Sequence, residues 1–227
     1  MKTHIAAAFA LILSTSAGLA GSFTEPPVDP VVPTPAPPAY NWTGAYAGVG
    51  IGYLRQRDRS PGAQFVLSPT NGAQLSALIG YNWQGTGPLV VGGEAMIAGG
   101  RVRGSGLCSN TAFTCSSSVG TTAALRMRIG VAQDRTLFFM TAGLAQMSVT
   151  HRTERQPNPG LTSVTRSRSA WTVGLGVEHA MMNGWNIRGD VEAYRLRRGT
   201  YILDNNLNYS PRRGQATAAR LTLVRRF

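Results

Sequence analysis

The feature that most constrains the fold is a strict alternation of apolar with small or polar residues, repeated in segments of about ten. Between residues 171 and 179, Trp171, Val173 and Leu175 alternate with threonine and glycine. Such a pattern places apolar side chains on one face of a β-strand and small or polar ones on the other. A soluble sheet buries the apolar face, whereas a membrane barrel turns it towards lipid.

The first twenty residues favour the membrane alternative. Lys2 provides a positive start, residues 5–13 an apolar stretch, and Gly18-Leu19-Ala20 a small-residue cleavage site, so residues 1–20 are predicted to be a secretory signal peptide. The apolar stretch is shorter than the ~20 residues of a transmembrane helix. Because lipid satisfies no backbone hydrogen bond, a membrane-spanning chain without helices must close its sheet. The sequence therefore predicts a β-barrel in a bacterial outer membrane.

The remaining chain divides into a linker and a barrel. Seven prolines lie between Ser22 and Ala39, a composition typical of extended polyproline II. We expect residues 21–40 to form a proline-rich periplasmic linker and residues 41–227 to form the barrel.

The barrel is predicted to be all-β, closed and antiparallel, with eight transmembrane strands. The expected strands cover residues 43–53, 73–83, 89–99, 120–132, 137–150, 169–180, 185–194 and 215–227. Short and long connections alternate between them, as in outer-membrane barrels, where periplasmic turns are short and extracellular loops long. The long connections cover residues 54–72, 100–119, 151–168 and 195–214. A periplasmic N-terminus then places all four long loops outside the cell.

Aromatic residues at the strand ends support this orientation. Trp42, Trp83 and Trp185 fall at the inner ends of strands, and Trp171 and Tyr53 at outer ends. Their amphipathic rings suit the two interfacial girdles of a membrane barrel. The alternative is that they are core residues of a soluble barrel.

Charged residues of the strands are predicted to form a network in the lumen. Alternation aims four acids and four arginines inward: Glu94, Glu178, Asp190, Glu192, Arg126, Arg128, Arg188 and Arg220. Paired guanidinium and carboxylate groups offset the cost of burying each charge. We expect a plug of ion pairs, since a sizeable pore needs about 16 strands. The alternative function is a small channel for ions or solutes.

A second set of arginines is predicted to lie in or beside the long loops. Its members are Arg55, Arg57, Arg59, Arg101, Arg103, Arg152, Arg155, Arg166, Arg168, Arg195, Arg197, Arg198, Arg212 and Arg213. Three acids, Asp58, Glu154 and Asp204, accompany them. Arginine offers a rigid bidentate fork for phosphate, and lipid A of the outer leaflet is phosphorylated. The expected partners are lipopolysaccharide or host polyanions such as glycosaminoglycans; the alternative is a solvated surface without a ligand. The export signal argues against intracellular nucleic acid.

The two cysteines, Cys108 and Cys115, lie close together in a polar stretch of an exported chain. The periplasm is oxidising, so this spacing favours a disulfide within one loop over two free thiols. No metal-ligand cluster exists beyond this pair, and no cofactor is expected.

An enzymatic function finds little support. His179 is predicted to face lipid, and His151 lies at the outer rim with Ser148 and Glu154 near it in sequence. Some lipid A-modifying enzymes place a serine, a histidine and an acid at this level, where the histidine activates the hydroxyl. Three common residue types within seven positions are a weak signal, so no catalytic residue is predicted.

Several motifs, taken together, resemble one family. They are Asn41-Trp42-Thr43-Gly44, Ile79-Gly80-Tyr81-Asn82-Trp83-Gln84, Leu125-Arg126-Met127-Arg128-Ile129-Gly130, Trp171-Thr172-Val173-Gly174 with Gly176-Val177-Glu178, and Arg226-Phe227. They resemble the porin-like, OmpA-type small outer-membrane barrels, often described as outer membrane immunogenic proteins of alphaproteobacteria. The resemblance spans residues 41–227.

The resemblance implies an eight-stranded barrel, surface exposure, a structural or host-interaction role and no enzyme. It also implies that Phe227 is the terminal aromatic by which the barrel-assembly machinery recognises the chain. Arg225 departs from the family, which tends to have an aromatic or apolar residue there. Alternation places Arg225 on the lipid side, where its guanidinium can reach the interface.

Overall fold

A computed structural model describes residues 40–59, 69–107, 113–155, 161–197, 201–202, 208–209 and 213–227. The expected signal peptide and nearly all of the expected linker lie outside these residues and stay predictions. No helix in the described ranges is long and apolar enough to cross a membrane.

Eight long strands of the described chain close into one antiparallel barrel. They are β1 (Gly44–Arg59), β2 (Thr70–Gln84), β3 (Leu89–Leu107), β4 (Phe113–Gln133), β5 (Thr136–Arg155), β6 (Leu161–Ala180), β7 (Trp185–Leu196) and β10 (Arg213–Arg226). The barrel order is β1-β10-β7-β6-β5-β4-β3-β2, so each strand pairs with its neighbours in sequence and β1 closes on β10. Two short strands, β8 (Tyr201–Ile202) and β9 (Asn208–Tyr209), pair separately. The predicted eight-stranded fold is confirmed.

Burial is inverted relative to a soluble protein. Large apolar side chains cover the outside; Leu75 is 70% exposed and Met127 is 77% exposed. Their neighbours in sequence are buried inside the barrel, and these include Gln74 and Arg126. A surface of this kind is stable only where lipid replaces water around it.

Three tight connections define one end of the barrel, called here the turn end. They are residues 85–88, residues 134–135 and residues 181–184. Asp134 and Asn183 adopt positive φ angles of 50° and 58°, which short polar side chains tolerate better than other residues. The opposite end, where β3, β4, β5 and β6 run furthest, is called the extended end.

The strands agree with prediction at the turn end but are longer at the extended end. β3 continues to Leu107 and β4 begins at Phe113, where residues 100–119 were expected to be a loop. Ladder hydrogen bonds persist there although the outward face becomes polar, so the apolar-outward alternation used for prediction disappears before the strand ends. Most of the predicted loop arginines therefore lie on strands.

Trp42 corrects the predicted inner girdle. Its side chain is fully buried and packs edge-on against Tyr40, with ring centroids 4.9 Å apart, instead of facing lipid. Trp42 precedes the first residue of β1, so strand alternation does not govern its direction. Together with Val90, Leu137 and Phe139 it fills the turn end of the interior. Trp83, Trp185, Trp171 and Tyr53 do face outward.

Candidate functional site

The interior charge network is the first candidate site. β3 supplies Glu94, β4 and β6 supply three members, and β7 and β10 the others, so the network spans opposite walls of the barrel. Its members are all buried: Glu94, Arg126, Arg128, Glu178, Arg188, Asp190, Glu192 and Arg220. The structure brings together all eight residues that alternation aims inward.

Glu94 is the centre of one half of the network. Its carboxylate pairs with Arg126 and accepts a hydrogen bond of 2.7 Å from Nη1 of Arg188. The hydroxyl of Tyr46 donates to the same carboxylate at 3.0 Å. Arg188 also contacts Asp190, with Nε and Oδ1 3.1 Å apart. Glu94, Arg126, Arg188 and Asp190 thus each have more than one ionic partner, which offsets the cost of burying their charges.

Glu192 is the centre of the other half. Nη1 of Arg126 and Nη1 of Arg220 each lie 2.6 Å from its Oε2 atom. The hydroxyls of Tyr194 and Thr172 donate to the same carboxylate. Arg220 also contacts Asp190 at 3.0 Å, which links the two halves. The network is therefore continuous across the lumen.

Phe139 is an interior residue that the sequence did not single out. The guanidinium carbons of Arg128 and Arg188 lie 3.9 Å and 4.5 Å from the centroid of its ring. Arg128 also pairs with Glu178, with 2.6 Å between Nη2 and Oε2, and Asn186 donates to that carboxylate at 2.7 Å. β5 is apolar on both faces, so its alternation was ambiguous there.

Apolar layers close the interior on both sides of the network. The cluster around Trp42 lies at the turn end. A larger cluster lies towards the extended end and includes Leu54, Val102, Val119 and Met147, all buried. Buried polar side chains such as Gln74 and Ser117 lie among the apolar ones at the extended end. The described lumen thus holds charged, polar and apolar side chains, and the plug stays a prediction.

The arginine set is the second candidate site. Six members lie on strands near the extended end with exposed side chains on the outward face: Arg55, Arg57, Arg101, Arg103, Arg152 and Arg195. They are called here the arginine rim. Arg59, Arg155 and Arg213 are terminal residues of β1, β5 and β10. Arg197 is exposed just after β7, while Arg198 and Arg212 lie outside the described residues.

Two arginines of the predicted loop set, Arg166 and Arg168, lie on the inward face of β6 and not on the outward face. Arg168 is buried, and its Nη2 donates to the carbonyl of Arg197 at 2.8 Å, so it is a structural residue of the wall and not a surface cation. It lies on the inward face of β6, which continues through the segment that was expected to be loop. Arg166, two residues earlier on the same face, is exposed.

Ser148, His151 and Glu154, which the sequence analysis considered as a possible catalytic set, do not lie on the same face of β5. His151 is buried on the inward face of β5, whereas Ser148 and Glu154 are an odd number of residues away and lie on the outward face. The Nδ1 atom of His151 instead lies 2.8 Å from the hydroxyl of Ser117 on β4. His179 faces outward, as predicted, with its Nδ1 atom 2.9 Å from the hydroxyl of Thr136.

Cys115 is buried near the extended end of β4 and is disulfide-bonded. Cys108 lies outside the described residues, so the predicted Cys108–Cys115 pairing stays a prediction. Within the described segments, no three histidine, cysteine or acidic residues are grouped so that they could hold a metal ion.

Arg225 lies at the turn end, half-buried on the outward side. Its guanidinium carbon is 5.4 Å from the ring centroid of Trp185, and its Nη1 atom donates to the carbonyl of Asn183. The charge thus reaches backbone oxygen at the interface. Phe227 is exposed and its backbone N–H donates to the carbonyl of Ala45 at 3.0 Å.

A closed antiparallel barrel with an apolar outer surface and a packed ionic interior defines an integral β-barrel protein of the bacterial outer membrane. Comparison with known families agrees: the model described as "Outer membrane protein beta-barrel domain" matches residues 30–227. The chain therefore belongs to that family of outer-membrane proteins.

Two curated relatives are similar over most of their length. The chain is 28% identical over 207 residues to the 31 kDa outer-membrane immunogenic protein of Brucella melitensis, covering 84% of this chain and 85% of the relative. It is 29% identical over 213 residues to the 25 kDa outer-membrane immunogenic protein of Brucella canis, covering 90% and 85%. Among solved structures it is similar to the attachment invasion locus protein of Yersinia pestis, at 10% identity and a TM-score of 0.45, covering 82% and 99%.

Proposed function

We propose that the protein is a non-enzymatic, sealed barrel that contributes to envelope integrity and displays a basic surface to anions outside the cell. The observation that carries this proposal is the arginine rim. Its six exposed guanidinium groups stand directly beyond the apolar belt, at the end of the barrel opposite the tight turns. Because short turns of outer-membrane barrels face the periplasm, the rim faces the outer leaflet and its lipopolysaccharide.

Charge and geometry support a phosphate-binding role for the rim. Glu154 on β5 is the acid on the outward face near these arginines among the side chains that the structure describes. Arginine binds phosphate through two parallel hydrogen bonds. The rim arginines lie on β1, β3, β5 and β7, which are alternate strands of the barrel, so successive strands of the rim are about 10 Å apart. A spaced array of this kind suits a surface that carries several phosphates.

The interior supports the non-enzymatic, non-conducting part of the proposal. Every charged group of the lumen network is paired, and apolar layers lie on both sides of it. The outward serine and acid near His151 face away from that histidine. The Brucella relatives carry names that describe outer-membrane immunogenic proteins, and display of this barrel at the cell surface fits those names.

The experiment is a salt titration of binding between the refolded protein and purified lipopolysaccharide, from about 0.05 M to about 0.5 M salt. The test variant changes Arg55, Arg57, Arg101, Arg103, Arg152 and Arg195 to Gln. Wild-type affinity should fall as salt rises, and the variant should bind weakly with little dependence on salt. The control is Arg135→Gln, an exposed arginine of the turn end, which should behave as wild type. Equal binding by all three proteins would refute the proposed role of the rim.

A further inference from the structure

A cleft at the extended end is lined by the arginine and hydroxyl side chains that typically bind an anion. It has a volume of about 380 Å³ and lies on the outward face of β3, β4 and β5. Its outward-facing side chains are Arg103, Ser105, Ser116, Ser118, Thr150 and Arg152. No acid is among the described residues that line it. Two cations and four hydroxyls, with no competing carboxylate, match the chemistry of a phosphate group.

The strand register explains how the cleft forms. Arg103 pairs with Ser118, which pairs with Thr150, while Ser116 pairs with Arg152. The arginines thus stand diagonally on either side of the β4 serines, about 10 Å apart across two strand spacings and about 7 Å apart along the strands. Small side chains in the middle leave the space between two long ones open. Neither guanidinium makes an ion pair or a side-chain hydrogen bond within the described strands, so both remain available to a ligand.

Irregular pairing separates the cleft from the membrane-facing wall below it. The register of β3 with β4 shifts between Ala98 and Val102, and that of β4 with β5 shifts between Val119 and Thr122. A β-bulge re-aims the side chains that follow it. Here it puts Ser116 and Ser118 on the outward face, beside the two arginines, although the alternation of the lower half of β4 would turn them inward.

An apolar groove lies on the same wall, nearer the turn end. Two adjoining hollows of about 1020 Å³ and 580 Å³ share Ala95, Leu125, Leu144 and Trp171. The smaller hollow reaches Gln146, which is four residues, about 13 Å, along β5 from Thr150 of the cleft. The larger one is floored by small outward residues such as Gly93 and Ala142. The groove and the cleft thus lie in line on one wall of the barrel, about 13 Å apart along β5, and are together called the track.

We propose that this track binds one phosphorylated glycolipid of the outer leaflet, with a phosphate of lipid A between Arg103 and Arg152 and acyl chains in the groove below. The proposal rests on the proposed function, because it assigns to one site the phosphate contact that the rim makes as a whole. The sugar headgroup bridges the 13 Å between them, near the bulge. The charge of the cleft and its place directly above an apolar groove select an amphiphile with an anionic head.

The first test measures lipid A binding to the refolded protein in detergent by native mass spectrometry. The probes are lipid A with two phosphates and the same lipid after dephosphorylation. Arg103→Gln with Arg152→Gln should weaken binding of the phosphorylated lipid about 10-fold or more and leave the dephosphorylated lipid unaffected. The matched control, Arg55→Gln with Arg195→Gln, removes the same charge from the same rim outside the cleft and should change the affinity less than about 2-fold.

The controls separate the two proposals. An equal loss in both double variants would overturn the cleft and leave a diffuse electrostatic rim, which the proposed function allows. If wild-type protein binds phosphorylated and dephosphorylated lipid equally, the proposed function fails as well. Inorganic phosphate should displace the phosphorylated lipid only at high concentration; displacement at low concentration would assign the cleft to free phosphate.

A second pair of variants tests the groove. The first carbon of a side chain added at Gly93 would lie 4.0 Å from its nearest neighbouring atom, and that of a side chain added at Gly189 on β7 would have no neighbour within 4 Å. Both positions therefore have room for a larger residue. Gly93→Leu fills the groove, whereas Gly189→Leu adds the same bulk to the wall elsewhere. We expect Gly93→Leu to weaken lipid A binding about 10-fold and Gly189→Leu to leave it unchanged. Ala142→Leu replaces it if Gly93→Leu fails to fold. Equal affinities for the groove and control variants would overturn the acyl-chain assignment.

Discussion

At the residue scale, each guanidinium of the lumen network is paired with a carboxylate from another strand, and three of the four also lie over an aromatic ring. Arg128 is the clearest example, because it pairs with Glu178 at 2.6 Å and stacks over Phe139. Removing one member of a buried pair leaves the other charged and desolvated. The net stabilisation from a complete pair is small by comparison, since both groups lose water when they are buried.

This asymmetry gives a prediction for a double-mutant cycle. Arg128→Met and Glu178→Met should each lower the free energy of unfolding by about 3–5 kcal/mol. The double variant should lose at least about 2 kcal/mol less than the sum of the two, since no charge is then left alone. Urea unfolding of protein refolded in lipid vesicles measures these values. Arg101→Met, which changes an exposed outward arginine, is the control; additive losses would contradict the pairing.

At the element scale, neighbouring strands approach closely where an interior side chain crosses a glycine. Tyr46 of β1 lies across Gly80 of β2, and a first side-chain carbon added to Gly80 would meet the tyrosine ring well inside van der Waals contact. That position lets the Tyr46 hydroxyl reach Glu94 on β3. One glycine therefore controls both the packing of β1 on β2 and a contact of the network.

Alanine substitutions should separate inward from outward glycines. Gly80→Ala should destabilise the barrel by about 1–3 kcal/mol, because the tyrosine must move in a packed interior. Gly189→Ala on the open outward face should be neutral or stabilise by up to about 1 kcal/mol, since glycine weakens a strand. Urea midpoints of the two refolded variants give the comparison. A loss at both positions would show that the strands tolerate no added side chain at all.

The same strands show how far sequence reasoning reaches. Alternation with a period of two predicted all eight strands and the inward direction of Glu94 and Arg188, because lipid outside and charge inside make opposite demands on neighbouring residues. The prediction from alternation failed where the contrast between an apolar outward face and a polar inward face ends. Towards the extended end the outward face of β4 is polar instead of apolar, so its continuation to Phe113 left no signal. Trp42 precedes its strand, and the anion cleft depends on a bulge that local sequence does not specify.

At the scale of the whole molecule, the described interior is layered: apolar at the turn end, ionic in the middle and apolar again towards the extended end. Water and ions need a continuous polar path to cross a membrane. The network has its charges neutralised in pairs, and buried apolar side chains lie on either side of it within the described residues. An eight-stranded barrel has little room besides that taken by its own side chains.

The refolded protein should therefore not conduct. In planar bilayers we expect no stable conductance steps on the nanosiemens scale, while a 16-stranded porin refolded in the same lipid conducts. Migration on SDS gels before and after boiling confirms that the inserted protein is folded. Reproducible steps from folded protein would contradict the sealed interior and favour a channel function.

The network also bears on how the chain enters the membrane. Arg188 and Glu94 are separated by 94 positions in sequence and reach each other from different strands across the lumen. A half-formed sheet with only β3 and β4 in place would keep the pair between Glu94 and Arg126 but leave Arg128 without Glu178 of β6, and an unpaired charge next to hydrocarbon is costly. We therefore expect the closing strand pairing and the burial of the charges to be coupled during insertion, so that the ionic core favours complete barrels over partial ones.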